Sequence, residues 1–238
     1  MDINCIIAMT AAQIAHAPSL PQPIAWMACH FSRKENGLTD LPAHLPKGAS
    51  LLVDDSIPIN GHDLSRIAEQ LTELTEKFSV DAVILDLQRP MMEENRVLAT
   101  FLAEKLPCTV CVSAMYAETR TCPVLLPPPP PHIPLRAHLA PWKGRQIWLE
   151  ALLEAEEITV TAQGSNPRQI PLPRSQELPF ADWDALCRYR FSIQEDRVVF
   201  TLARDRQMLR ELLHQGSRLG VARAVGLYAQ LQESPEVL

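Results

Sequence analysis

A chain of 238 residues, 47% of them hydrophobic, has enough apolar side chain for one large or two small domains with a real core. Its formal net charge is -6 and its basic residues are scattered, so neither nucleic acid nor a membrane surface is an expected partner. Aromatic residues make up only 5%, against a long stacking platform, and 21 prolines beside 8 glycines imply loops held stiff.

The first stretch, "MDINCIIAMTAAQIAHAPSL", has an apolar run but no basic start, and Asp2 sits where a signal peptide wants Lys or Arg. Residues 1–22 therefore read as a separate N-terminal segment of a cytoplasmic protein. No apolar run approaches the ~20 residues needed to span a bilayer. Next, "PIAWMACHFS" (23–32) reads as a buried strand ending at His30 and Ser32, and "SLLVDDSIP" (50–58) as a second ending at Asp54 and Asp55. "NGHD" (60–63) is a turn and helix start, with His62 facing the loops and Asp63 as N-cap. Beyond it Leu64, Ile67, Ala68, Leu71, Leu74 and Phe78 share one helical face.

"VDAVILDLQRP" (80–90) is a third strand, an apolar run that delivers Asp86, Gln88 and Arg89 to its far end. A helix over 92–106 follows, with Val97, Leu98, Phe101 and Leu102 inward. "CTVCVSAMYA" (108–117) and "CPVLLP" (122–127) are further strands, and "RQIWLEALL" (145–153) is another, with a helix as the alternative. Strands alternating with helices imply βα units and a parallel sheet, and continuous apolar strands imply that both faces are covered. A parallel barrel or a doubly wound sheet satisfies both conditions.

After residue 155 the pattern changes to period-two alternation in "EITVTAQG", "CRYRFSIQ" and "RVVFTLARD", with "QEDR" (194–197) as a hairpin turn. "SNPRQIPLPRSQELP" (165–179) between them reads as a polar loop. "DRQMLRELLHQGSRLG" restores a helix with Leu209, Leu212 and Leu213 inward, and "VARAVGLYAQL" closes with a buried strand. The fold expected is thus α/β, a shortened or irregular (β/α)8 TIM-type barrel over 23–154 and 203–231. A small antiparallel insertion occupies 155–202, and 232–238 form a tail.

Six cysteines do not make a disulfide scaffold in a chain of this length, and the C-x-x-C of Cys108 and Cys111 lies within a strand, where an i,i+3 pair points to opposite faces. Cys122 stands alone, so these read as core residues with no metal and no cofactor implied. Five consecutive prolines, 127–131, set a polyproline II rod that either baits an aromatic-lined domain or covers a barrel mouth. His132, His138 and Trp142 lie just beyond it. No nucleotide, dinucleotide, zincin or serine hydrolase motif is present.

The residues "DAVILDLQ" (81–88) resemble the D-x-x-D-x-D-x-E run of the family 18 glycoside hydrolases, the chitinase-like (β/α)8 barrels. Asp81 and Asp86 match the first and third acidic positions, while Ile84 replaces the second and Gln88 the glutamate. "CRYRFSIQEDRVVFTLARDRQMLRELLHQGSRLGVARAVGLYAQL" is similar to the family's ending, and on this alignment the chain is about one βα unit short ahead of Asp81. The resemblance implies that the glutamate protonates the leaving oxygen while the substrate's N-acetyl group attacks, steadied by the middle aspartate. With Gln88 and Ile84 there, it implies a degenerate domain that binds a glycan or oligosaccharide, or has lost its activity.

If the strands close into a barrel, their C-terminal ends share one face, where such folds place their sites. The ligand-binding candidates there are Asp86, Gln88, Arg89, His30, Tyr116, Trp142 and Tyr228, with Ser113 nearby. The alternative is an active hydrolase using carboxylates chosen from Asp54, Asp55, Asp86 and Glu150. Asp54 and Asp55 are adjacent, so only one of them points inward. The same side chains equally suit caps, arginine partners and loop hydrogen bonds.

Overall fold

Apolar runs too short for helices become the staves of one closed barrel. The structure, a computed structural model, describes residues 3–17, 23–32, 34, 36–59, 63–90, 92–118 and 121–231, with Ala28 by its backbone alone. In chain order the first strands are β1 (Asn4–Met9), β2 (Ile24–Ser32), β3 (Gly37–Thr39), β4 (Ser50–Asp54), β5 (Ala82–Asp86), β6 (Thr109–Ser113), β7 (Val124–Leu126) and β8 (Ile147–Ala151). The insertion holds β9 (Glu154–Thr161), β10 (Gly164–Gln169), β11 (Phe180–Asp182), β12 (Cys187–Ile193) and β13 (Arg197–Arg204), and the chain returns with β14 (Val221–Leu227).

The parallel strands run in the order β1-β14-β8-β7-β6-β5-β4-β2, and β1 pairs with β2 to close the circle. β3 pairs antiparallel with the end of β2 only. The unit that the sequence reading finds missing ahead of Asp81 is therefore present. It is β1 with α1 (Ala11–His16), inside the stretch read as a separate N-terminal segment. With β1 counted, β5 is the fourth stave.

Two apolar layers follow from strand alternation. Ile6, Leu52, Ile84, Cys111, Leu125 and Trp148 fill the barrel interior, while Ile7, Val53, Val83, Val112, Val124 and Leu149 face outward beneath the helices. The helices are uneven. α2 (Leu64–Phe78) and α3 (Glu93–Lys105) are full length, but α4 (Leu135–Leu139) is one turn and, among the described residues, no helix joins β2 to β4. α5 (Arg206–Arg218) precedes β14, which is the expected closing strand, and the last four residues of that expected run form α6 (Tyr228–Leu231) instead. Asp63 caps α2 as expected, accepting from the N–H groups of Ser65 and Arg66. On α3, Asn95 is buried and Val97 is 45% exposed, so Val97 does not face inward as its apolar character suggested. No helix among the described residues is long and apolar enough to cross a membrane.

The insertion is a separate antiparallel sheet in the order β10-β9-β13-β12-β11. A third of the expected loop is strand β10, in which Pro167 pairs opposite Ile158. β10 is an edge strand, and a proline that cannot donate is tolerated there because no further strand needs its N–H.

Because β1 closes the circle between β14 and β2, a chain beginning at residue 17 is expected to lose cooperative unfolding. Thermal circular dichroism of the truncated and full chains checks this, and a sharp transition in the truncated chain contradicts it.

Candidate functional site at the barrel mouth

Alternation decides which side chains reach the mouth. On β5, Ala82 and Ile84 point into the barrel and Val83 and Leu85 outward, so Asp86 points inward at the C-terminal end. The same parity brings Asp54 inward on β4 and Glu150 on β8, and a register shift in β2 between Trp26 and Cys29 turns His30 inward. His30, Asp54 and Asp86 sit side by side, since His30 pairs with Asp54 across β2–β4 and Asp54 with Asp86 across β4–β5. His30 Nδ1 lies 2.7 Å from Asp54 Oδ2, in a geometry that leaves Nδ1 without a hydrogen bond. Gln88 continues the line of Asp86, and its Nε2 donates to the Asp86 carboxylate.

Asp55 takes the other direction. It is 2% exposed, and its Oδ1 accepts from the Gln88 N–H at 2.8 Å while its Oδ2 accepts from the Arg89 N–H at 2.9 Å and from Asn95 Nδ2 at 2.7 Å. Arg89 answers by donating its Nε to the Asp55 carbonyl and its Nη2 to the Ser56 carbonyl, both at 2.7 Å. Asp55 and Arg89 thus clamp the loop that leaves β5 and are turned away from the mouth. Tyr116 does similar work. Its hydroxyl donates to the Arg89 carbonyl and accepts from the Met92 N–H. Ser113 is buried between Leu85 and Leu87, donating to one and accepting from the other.

Burial holds the Asp86 carboxyl above its ordinary range, against the lowering effect of the Gln88 hydrogen bond, and the charges of Asp54 and Asp55 add to the rise. Burial, followed by the charges of Asp86 and Glu154, pushes Glu150 up to about 8. Glu150 and Gln88 line one cavity of about 710 Å³ above the barrel. Its opposite wall is the proline rod with His138, and its upper edge is the start of β9 with Glu154 and Glu156. The rod is pinned. Arg204, wholly buried, pairs with Glu154 and donates to the Pro129 carbonyl at 2.9 Å, and His138 Nε2 lies 2.9 Å from the Pro127 carbonyl. His132 Nδ1 lies 2.8 Å from Glu156.

Five candidates therefore gather at the mouth, His30, Asp54, Asp86, Gln88 and Glu150, and His138 lines the cavity with Gln88 and Glu150. Trp142 and Tyr228 pack instead against the outer core. Asp81 lies at the opposite end of β5, where its carboxylate accepts from Arg223, whose guanidinium lies over the Trp148 ring. His62 falls outside the described residues. Glu154, Glu156 and Arg204 escaped the sequence reading, although the period-two run E-A-E-E-I-T-V-T already placed the first two on one face of β9. A second groove of about 540 Å³ crosses the apolar face of the insertion, beside Pro131, Tyr189 and Phe200.

No protein-family model and no curated protein matches the sequence. Solved structures match the fold. The spore cortex-lytic enzyme SleL of Bacillus cereus superposes with a TM-score of 0.58 at 11% identity, over 94% of this chain and 70% of that one. The chitinase of Chromobacterium violaceum gives 0.54 at 10% identity, over 96% and 94%. A doubly substituted family 18 chitinase from Cycas revoluta, in complex with (GlcNAc)4, gives 0.57 at 9% identity, over 98% and 97%. The fold is that of the chitinase-like barrels. In this chitinase-like barrel, β5 is the fourth stave, where the resemblance expects the acidic run.

Two outcomes follow from the geometry. Asp55→Ala strands two backbone N–H groups and the Asn95 amide, and is expected to cost about 3 kcal/mol or more in urea denaturation. Glu150 has a folded pKa of about 8 against an ordinary 4.5, so the folded state holds its proton more tightly than the unfolded state does. Stability is therefore lost as pH rises through that window. Glu150→Gln should raise the melting temperature by a few degrees above pH ~8 and leave it unchanged below pH ~4.5. A pH-independent difference between the two proteins contradicts the assignment.

Proposed function

We propose that the chain is a glycan-binding, catalytically degenerate domain of the chitinase-like glycoside hydrolase type, with its ligand in the cavity that Gln88 and Glu150 share. The observation that carries this reading is the place of Gln88. It lies two residues beyond Asp86 in line with the fourth stave, where the resemblance expects the proton donor, and it donates one N–H of its amide to Asp86. A carboxamide has no proton to give near neutral pH. Ile84, where the resemblance expects the second aspartate, is wholly buried in the barrel interior and offers no polar atom to a substrate. General acid catalysis is typically worth ~10²–10⁴-fold, and here both partners of that device are missing.

Binding does not need the proton. Gln88 keeps an acceptor for a sugar hydroxyl, and the cavity volume of about 710 Å³ suits one or two sugar rings. In the Cycas revoluta complex with (GlcNAc)4, one of the two substitutions is likewise a glutamine for a glutamate, which supports sugar binding by an amide-bearing barrel of this fold.

One observation favours a second reading. Glu150, pushed up to about 8, is a protonated acid at neutral pH and shares the mouth with Asp86, a pairing able to act as acid and base. That would make the chain an active glycoside hydrolase using carboxylates other than the one replaced by Gln88.

Isothermal titration against chito-oligosaccharides and peptidoglycan fragments, together with turnover of aryl glycosides, separates these readings. The first expects binding with a Kd of roughly micromolar to millimolar and no turnover above background. Turnover lost in both Asp86→Asn and Glu150→Gln replaces it with the second. Silence across the whole panel removes the glycan reading.

A further inference from the structure

The five-stranded insertion has two unlike faces. Register sets Tyr189, Phe191 and Ile193 of β12 on one side, opposite Leu202, Phe200 and Val198 of β13. The same side continues across β9 with Ile158 and Val160, and across β11 with Phe180. The rings of Phe180, Tyr189, Phe191 and Phe200 form one cluster, with neighbouring centroids 5.4 to 6.0 Å apart. The other side carries Glu157, Thr159, Arg190, Ser192 and Thr201. An antiparallel sheet with one apolar face ordinarily buries that face. Here Ala185, Cys187 and Leu202 close its base, but its outer part is open, with Phe191 47% exposed and Ile193 74%.

We propose that this face is the contact between two copies of the chain, packed face to face about a two-fold axis. Shape favours a second copy. Phe191 and Ile193 stand at the hairpin end of β12, and the groove of about 540 Å³ beside Pro131 lies toward its other end. A two-fold lays the hairpin end of each copy over the groove of the other, the self-complementary pattern that a symmetric dimer requires. Charge agrees. On this side β12 carries no acidic or basic side chain from Tyr189 to Ile193, nor does β13 from Val198 to Leu202, so two chains of net charge -6 meet there without like charges in contact. Area suffices as well. Five strands at ~4.8 Å spacing, each ~20 Å long, give a face of about 500 Å². Two such faces bury about 1,000 Å² together, which is what a specific interface needs. Pairing through the sheet edge is disfavoured, because Pro167 on the edge strand β10 has no N–H to offer. Pro131 lines both the groove and the mouth cavity, so the second copy rests against the back of the rod that walls the mouth.

Sedimentation velocity of the full chain from ~1 to ~200 μM, at low and high salt, tests this. A monomer–dimer equilibrium with a Kd of roughly 1–100 μM is expected, and it does not weaken in high salt. Phe191→Asp and Ile193→Asp, each checked for folding by its thermal transition, should weaken it at least ~10-fold. Val97→Asp, which puts the same charge on the exposed side of α3, should leave it unchanged. A chain that stays monomeric throughout overturns the proposal. So does a dimer that keeps its strength in both insertion variants or loses it in Val97→Asp. A monomer whose binding of (GlcNAc)4 is weakened by Phe191→Asp assigns the aromatic face to a sugar, and the dimer falls with it.

Discussion

The mouth keeps its shape because one carboxylate, that of Asp55, is turned away from it. Two adjacent aspartates at the end of β4 must point to opposite sides of the stave, and the structure sends Asp54 to the barrel mouth and Asp55 to the loop behind. Where β5 ends, the N–H groups of Gln88 and Arg89 have left the ladder and need acceptors, since a buried backbone donor without one is costly. Asp55 supplies both acceptors, and Arg89 and Asn95 close the arrangement from the other side. Gln88 is thereby fixed by its backbone, and its side chain has little choice but the cavity. The position that matters most for chemistry is thus set by a residue that touches no ligand.

Polarity in the mouth is lopsided for a related reason. Strand parity gathers Asp54, Asp86 and Glu150 in one small volume, yet only Asp54 has a basic neighbour, His30. The basic residues that could have balanced the others are spent elsewhere. Arg89 is spent on the clamp, Arg204 on Glu154 and the rod, and Arg223 on Asp81 at the far end of the barrel. A group of carboxylates with one cation short raises the proton affinity of its most buried member, here Glu150. Burial is the largest cause of that rise, and the charges of Asp86 and then Glu154 add to it.

Much of this was legible in the residues. Strand alternated with helix, α2 announced itself by its spacing and by Asp63, and the run 81–88 pointed to the fourth stave. β1 was missed because a six-residue apolar strand buried on both faces shows no alternation, and the one-turn helix behind it is too short to show a period. β10 was hidden by Pro167, which argues against a strand except at an edge, and edges are a property of the sheet rather than of the segment. Tyr116 and Trp142 were placed at the mouth by proximity to strand ends. Both lie in tight turns beyond β6 and α4, where period two no longer says which way a side chain points.

The proline run shows how context overrides composition. An isolated polyproline II helix leaves its carbonyls to water and presents itself to a partner's aromatic groove. Here Pro128, Pro129 and Pro131 are buried, and Arg204 and His138 take the carbonyls of Pro129 and Pro127. A segment held this way is a wall, which is the cover expected from its place after an apolar strand, and not bait. As a wall it has one chemical property that any other sequence would lack, an unbroken absence of N–H groups facing the acids of β5 and β8. The rigidity that proline brings to the loop and the donor poverty it brings to the cavity are the same covalent fact. Stiffening this loop with proline therefore leaves donation to a ligand to the other residues that line the cavity, Gln88 and Gln169 among them.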